Sequence, residues 1–98
     1  MTNSNEYKYK LAATNKFKKD LKLMKKRNDF NSKEFEKVVD LLLKGEKLPE
    51  KYCNHILEPK VNGLYECHIK PDWLLVYMIN NEVLLLTLIR TGTHSDLF

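Results

Sequence analysis

All three histidines of the 98-residue chain lie in its second half: His55, His68 and His94. Asp72, Trp73, Arg90 and Phe98 stand near them in the sequence. An imidazole titrates at about pH 6.5 when unperturbed, so it can give or take a proton near neutrality. His68 and Asp72 flank the end of an alternating segment. Arg90 and His94 sit at, and just after, the end of the last apolar run. In an antiparallel meander these two places become neighbours, and strand ends commonly carry functional residues on a rigid scaffold. A plainer reading stands beside this one. Three histidines in 98 residues are no excess, and Arg90 could form a structural ion pair with Asp72.

Metal binding is the competing chemistry. Cys53, His55, Cys67 and His68 supply four candidate ligands. Adjacent residues of a strand point to opposite faces, so Cys67 and His68 cannot both aim at one ion. The usual paired Cys or His spacing of structural zinc sites is missing. Cys67 reads instead as a small core residue beside Tyr65 and Ile69. No phosphate-binding glycine loop, nucleophile elbow or metalloprotease helix motif occurs.

The elements that must position these residues follow from periodicity. Tyr7, Tyr9 and Leu11 alternate with Lys8 and Lys10 and predict a half-buried strand. A helix is expected from about Thr14 to Asn28, with Phe17, Leu21 and Met24 as its apolar stripe. Asn31 should cap a second helix, with Glu34 able to reach back as in a capping box. Phe35, Val38, Val39 and Leu42 form its stripe, and Gly45 should end it in the left-handed region. The two helices are expected as an antiparallel pair. Residues 50–63 read as irregular. Leu64–Lys70 alternates, with Tyr65, Cys67 and Ile69 on one face and Leu64, Glu66 and His68 on the other. Leu74–Ile79 and Val83–Ile89 are nearly continuous apolar runs, as expected of covered strands. Asn80-Asn81 predicts a two-residue hairpin between them. The order is β-α-α-β-β-β: an α+β fold with a two-helix hairpin packed on a small, mainly antiparallel sheet. Residues 1–98 are expected to form one domain.

Composition narrows the function classes. Hydrophobic residues make up 43% and charged residues 31% of the chain, which fits a globular protein and excludes dominant disorder. The polar stretch Met1–Lys10 has no apolar segment after it, and no run approaches membrane-spanning length. Two cysteines make no disulfide framework, so a reducing cytoplasm is expected. The net charge is +4 and it is uneven. Residues 1–30 hold 9 basic and 3 acidic residues, and the remainder holds 8 and 10. Fifteen of the 17 basic residues are lysines. A lysine-rich patch suits a polyanion held by point charges, such as an RNA backbone or an acidic protein. It is also what an ordinary solvated helix face looks like.

Three motifs carry a resemblance. They are Leu48-Pro49 with Tyr52-Cys53-Asn54-His55-Ile56-Leu57, then His68-Ile69-Lys70-Pro71-Asp72-Trp73, and last Arg90-Thr91-Gly92-Thr93-His94-Ser95-Asp96-Leu97-Phe98. Together they resemble the RelE/ParE superfamily of bacterial type II toxins, in its YafQ-like branch. The likeness runs from Tyr7 to Phe98, by pattern alone in the first half. One position departs: Pro59 stands four residues after the first histidine, where the family often has glycine.

The resemblance implies a ribosome-dependent mRNA endonuclease that cuts A-site codons without a metal or other cofactor. It implies an antitoxin that neutralises the chain. By resemblance His55, His68, Asp72, His94 and Phe98 match active-site positions, with Trp73 and Arg90 in the surrounding motif. Metal-free RNA cleavage needs a base for the 2′-OH, an acid for the leaving 5′-oxygen and a cation for the phosphoryl charge. His94 is then expected as the acid, His68 with Asp72 as holder or base for the 2′-OH, and Arg90 as phosphate contact or brace. Phe98 would stack on a base or sugar. Trp73 would stack likewise or anchor the loop. Lys16, Lys18, Lys19, Lys22, Lys25 and Lys26 would contact ribosomal RNA. Two rivals share the fold: a gyrase-binding inhibitor of the ParE type, and an inactive RNA- or protein-binding homologue.

Overall fold

A computed structural model describes residues 7–98; the first six residues of the polar N-terminal stretch lie outside it. The chain runs β1 (Lys10–Ala13), α1 (Asn15–Met24), α2 (Ser32–Leu43), a 3₁₀ turn (Glu50–Tyr52), β2 (His55–Ile56), β3 (Leu64–Lys70), β4 (Trp73–Asn80), β5 (Leu85–Gly92) and α3 (His94–Leu97). The strands form one sheet in the order β1-β5-β4-β3-β2. β1 runs parallel to β5, and every other pairing is antiparallel. The expected α+β architecture and element order are therefore present, with β2 and α3 as additional short elements.

The first strand starts three residues later than the alternation predicts. Tyr7, Lys8 and Tyr9 are used to tie down α2 and the far loop. The backbone N–H groups of Lys8 and Tyr9 both donate to the Leu43 carbonyl. Tyr7 Oη donates to Asp40 Oδ1 at 2.6 Å, and Tyr9 Oη to Asn81 Oδ1 at 2.6 Å.

α1 begins where Thr14 Oγ1 accepts from Phe17 N. It stops at Met24 and not near Asn28. Met24 is its last buried residue, and beyond it only lysines and Arg27 remain to be packed. Short helices persist through packing more than through propensity, so the chain tightens there into i→i−3 bonds. In α2 Asn31 Oδ1 accepts from Glu34 N at 3.1 Å, as the cap predicts. The Glu34 carboxylate does not serve the expected box: it accepts from Tyr52 Oη at 2.7 Å and pairs with Lys51. Gly45 takes φ +74°, and Glu46 N bonds to the Leu41 carbonyl, closing the helix.

The helices cover one face of the sheet. Phe17 stacks on Phe35, Phe35 stacks on Trp73, and Phe30 packs against Trp73 at a tilt. Val38, Leu42, Cys67, Ile69, Leu75, Tyr77 and Leu86 complete that core.

The β4–β5 connection differs from the expected two-residue turn. Asn80 pairs with Leu85, which leaves four loop residues. Asn80 Oδ1 accepts from the N–H groups of Glu82 and Val83, and Leu84 takes φ +54°. That side-chain turn offers the backbone a partner that strand pairing would otherwise supply. The tight hairpin lies elsewhere: Lys70 pairs with Trp73 across Pro71-Asp72.

Candidate active site

Register places the site on the sheet face away from the helices. His68 pairs with Leu74, and Glu66 with Val76. On the next strand Leu74 pairs with Gly92, and Val76 with Arg90. Glu66, His68 and Arg90 therefore share one face, as period-two alternation requires. Their sequence neighbours Cys67, Ile69 and Thr91 face the core and are buried.

His55 is held by two devices. It pairs with Glu66 across β2 and β3. Asn54, just before it, accepts a hydrogen bond from the buried Tyr77 hydroxyl of β4. Pro59 lies in the loop beyond this pairing. Its Nε2 lies 3.1 Å from Glu66 Oε1, and its Nδ1 lies 3.0 Å from the Ile56 carbonyl. His68 Nε2 lies 4.0 Å from the same Glu66 oxygen.

His94 opens α3. Thr93 and Asp96 form a reciprocal capping box there, and Gly92 permits it. A Cβ on Gly92 would stand 3.0 Å from the Asp96 side chain. The Pro71-Asp72 turn delivers Asp72 to the same place. Asp72 Oδ1 accepts from His94 N at 3.2 Å and lies 2.9 Å from His94 Nδ1. These bonds, the side-chain one first, hold the Asp72 carboxyl below its ordinary value. The ring of His94 meets that of His68 edge-on, with centroids 5.7 Å apart. The hydrogen-bonded pairs His55–Glu66 and Asp72–His94 are thus linked through His68, which approaches Glu66 at 4.0 Å and meets the His94 ring edge-on.

Three more of the expected residues lie around this chain of contacts. Arg90 does not pair with Asp72. Its Nε donates to Asp20 Oδ2 at 2.6 Å and its Nη2 to Asp20 Oδ1 at 3.2 Å. This pair raises the guanidinium further above its ordinary value. Trp73 is 2% exposed, and its Nε1 donates to Thr91 Oγ1 at 2.8 Å. Its ring is core and cannot stack on a nucleotide. Phe98 is 72% exposed and keeps its ring free for stacking. Lys16, Lys18, Lys19, Lys22, Lys25 and Lys26 are all exposed. Asp20 also accepts from Thr91 N, so this lysine-rich helix is pinned beside the site.

Glu66 and Asp20 are the residues that motif reading passes over. Each had a signal. Glu66 stands two residues before His68 on an alternating strand, which puts it on the same face. Asp20 is the only acidic residue between Glu6 and Asp29.

Residues 9–98 match the family model described as bacterial toxin of type II toxin-antitoxin system, YafQ. The chain belongs to the YafQ toxin family. It is 38% identical over 84 residues to the mRNA interferase toxin YafQ of Escherichia coli strain B / BL21-DE3, covering 84% of this chain and 87% of that one. Among solved structures it superposes on the E. coli DinJ–YafQ complex with a TM-score of 0.83 at 33% identity, covering 92% of this chain and 98% of that one. A metal-bound toxin from Helicobacter pylori gives 0.84 at 42% identity, covering 92% and 99%. The YafQ relatives are mRNA interferases, which are endoribonucleases, and this chain is a type II toxin of that enzyme family.

Proposed function

We propose that the chain is a ribosome-dependent endonuclease that cuts mRNA at A-site codons by attack of the substrate's own 2′-OH. The supporting observation is the pair of adjoining imidazoles, His68 and His94, each backed by a carboxylate and sharing a face with a guanidinium.

Asp72 accepts from His94, so Nδ1 carries the proton and Nε2 faces outward for exchange. His94 is the general acid. His68, with Glu66 behind it, takes the 2′-OH proton. The 2′-oxygen bonds to phosphorus, the P–O5′ bond breaks, and the 5′-oxygen receives the His94 proton. The products are a 2′,3′-cyclic phosphate, or its hydrolysed form, and a 5′-hydroxyl. Arg90 keeps Nη1 for the phosphoryl oxygens while Asp20 fixes its plane. His55 steadies Glu66, and Phe98 stacks on a base or sugar. No metal is required, because the side chains supply base, acid and cation. The lysines of α1 dock on ribosomal RNA phosphates.

The setting is the cytoplasm, where ribosomes are. No helix among the described residues is long and apolar enough to cross a membrane. The partner that silences the chain is a cognate antitoxin, by likeness to the DinJ-bound relative.

The test is a purified translation system programmed with a defined mRNA, with RNA 5′ ends mapped. Cuts with 5′-hydroxyl ends at A-site codons, formed only with ribosomes, are expected. Equal cutting of naked RNA removes ribosome dependence. Intact mRNA together with DNA damage in expressing cells points to the gyrase-binding alternative.

A further inference from the structure

We propose that a groove at the free edge of β3 is the subsite for the nucleotide on the 5′ side of the cut, the one that supplies the attacking 2′-OH. The groove exists because β2 is short. His55 and Ile56 pair with Glu66 and Tyr65, and the ladder goes no further toward Lys70. Just before β2, Cys53 takes φ +47°, and its N–H closes the 3₁₀ turn on the Glu50 carbonyl. The chain there turns away from β3, so Cys67–Lys70 have no strand on that side among the described residues. The space left is about 560 Å³, within the roughly 300–1,000 Å³ of small-molecule sites. It wraps the strand edge, touching His68 of the open face and Ile69 of the helix-facing side.

The walls suit a nucleotide. Tyr52, Cys53, Ile69 and Pro71 give apolar surface for a base to lie against. Tyr52 is 1% and Ile69 3% exposed, so these walls are fixed by the core. Tyr52 Oη donates to Glu34 Oε1 at 2.7 Å, which fastens the 3₁₀ turn to the start of α2. Lys51 and Lys70 line the same groove. Lys51 Nζ stands 5.0 Å from the centre of the Tyr52 ring and 3.6 Å from Glu34 Oε1. Lys70 Nζ donates to the Asp29 carbonyl at 2.9 Å. Two ammonium groups against the single Glu34 carboxylate leave positive charge for a phosphate. An acidic peptide would satisfy the lysines as well. Continuity with His68 favours the nucleotide.

His68 also sets the direction of the strand. It borders the groove on one side and meets the His94 ring on the other, with centroids 5.7 Å apart. The attacking 2′-OH must reach His68, and the leaving 5′-oxygen, which belongs to the next nucleotide, must reach His94. The 5′-side base therefore falls to the groove and the 3′-side base to α3 and Phe98. This direction rests on the acid and base roles proposed above; binding in the groove does not.

The probes are nucleoside 3′-monophosphates, which carry phosphate where the 5′-side product carries it. Cys53 is exposed and lines the groove, while Cys67 is buried, so the alkylation rate of the native full chain reads occupancy. At ten times the dissociation constant, a 3′-monophosphate should slow Cys53 alkylation by roughly tenfold. It should also shift the amide NMR signals of Tyr52, Ile69 and Lys70, a readout that needs no variant to fold. Inorganic phosphate at the same concentration should leave the Cys53 rate unchanged. Lys51→Ala and Lys70→Ala should each weaken binding by about two- to fivefold, with unchanged circular dichroism. An unprotected Cys53, shifts confined to α1 or Phe98, or protection by an acidic peptide and by no nucleotide overturns the subsite. Equal protection by nucleoside 5′-monophosphates overturns the direction. Protection in a chain that cuts no mRNA keeps the groove and removes the nuclease reading; cutting as expected with Cys53 unprotected does the reverse.

Discussion

The two faces of the sheet are built from alternate residues of the same strands and do different work. The helix-facing side carries Cys67, Ile69, Trp73, Leu75 and Tyr77, all buried in one apolar cluster. The opposite side carries Glu66, His68 and Arg90, whose contacts are hydrogen bonds and ion pairs. His68 and Cys67 are neighbours in sequence, yet one lies on the proposed catalytic surface and the other is sealed. Burial pushes the Cys67 thiol up to about 12, so it is inert at neutral pH. The lesson is that in so short a chain a single strand residue is committed either to stability or to chemistry. Changes on one face should therefore move one observable and leave the other.

The largest stability effect is expected from the core face. Trp73→Ala should cost about 3–5 kcal/mol, a large part of the 5–15 kcal/mol that ordinarily holds a domain together. Chemical denaturation measures this. A loss under 1 kcal/mol would mean that Trp73 belongs to the open face after all. Arg90→Lys comes next. Lysine cannot reproduce the two-pronged contact with Asp20, so roughly 1–3 kcal/mol should be lost by the same measurement. Arg90 is the exception to the division between faces, since it joins α1 to the proposed site, and both stability and cleavage should fall.

Reversing Lys18, Lys22 and Lys25 to Glu should weaken ribosome association about tenfold or more and flatten its salt dependence. The melting temperature should stay unchanged, because none of the three forms an ion pair among the described residues. Sedimentation with ribosomes at two salt concentrations decides it, and unchanged binding would free α1 of the docking role. Thiol alkylation tests the sealed face directly. Cys53 is exposed and Cys67 buried. One label is expected in the native state and two after unfolding.

The smallest effect is electrostatic. Asp72 has a folded-state pKa below its ordinary one, so its contact with His94 contributes fully above about pH 4 and is lost only as the pH falls through the lowered value. The Asp72 carboxyl carbon shift in NMR should show an acid-shifted midpoint. A midpoint at or above the ordinary value would detach Asp72 from His94.

Much of this was legible in the sequence, because alternation and helical periodicity report burial directly. Leu64–Lys70 shows its two faces in the order of its side chains, and Asn31 and Gly45 mark the ends of α2. What escaped depended on contacts between distant residues. No local pattern reveals that Tyr7 and Tyr9 hold α2 and the 81–84 loop, or that Glu34 serves Tyr52 before its own helix. The same holds for the site. His68 and His94 were readable as neighbours from the meander, and Asp72 from its turn. The partner of Arg90 was not, since Asp20 arrives from 70 residues away. Trp73 sits in the most recognisable motif yet packs in the core, because motif membership does not say which way a side chain points.

The central claim is that His94 performs chemistry and carries no fold. Product ends from a purified translation system, measured with wild-type chain and with His94→Ala, test it most directly when paired with melting curves of both proteins. The expected result is a fall in cleavage of roughly 10²–10⁴-fold at an unchanged melting temperature. Full cleavage by His94→Ala would contradict the account, and so would a loss of cleavage fully explained by unfolding.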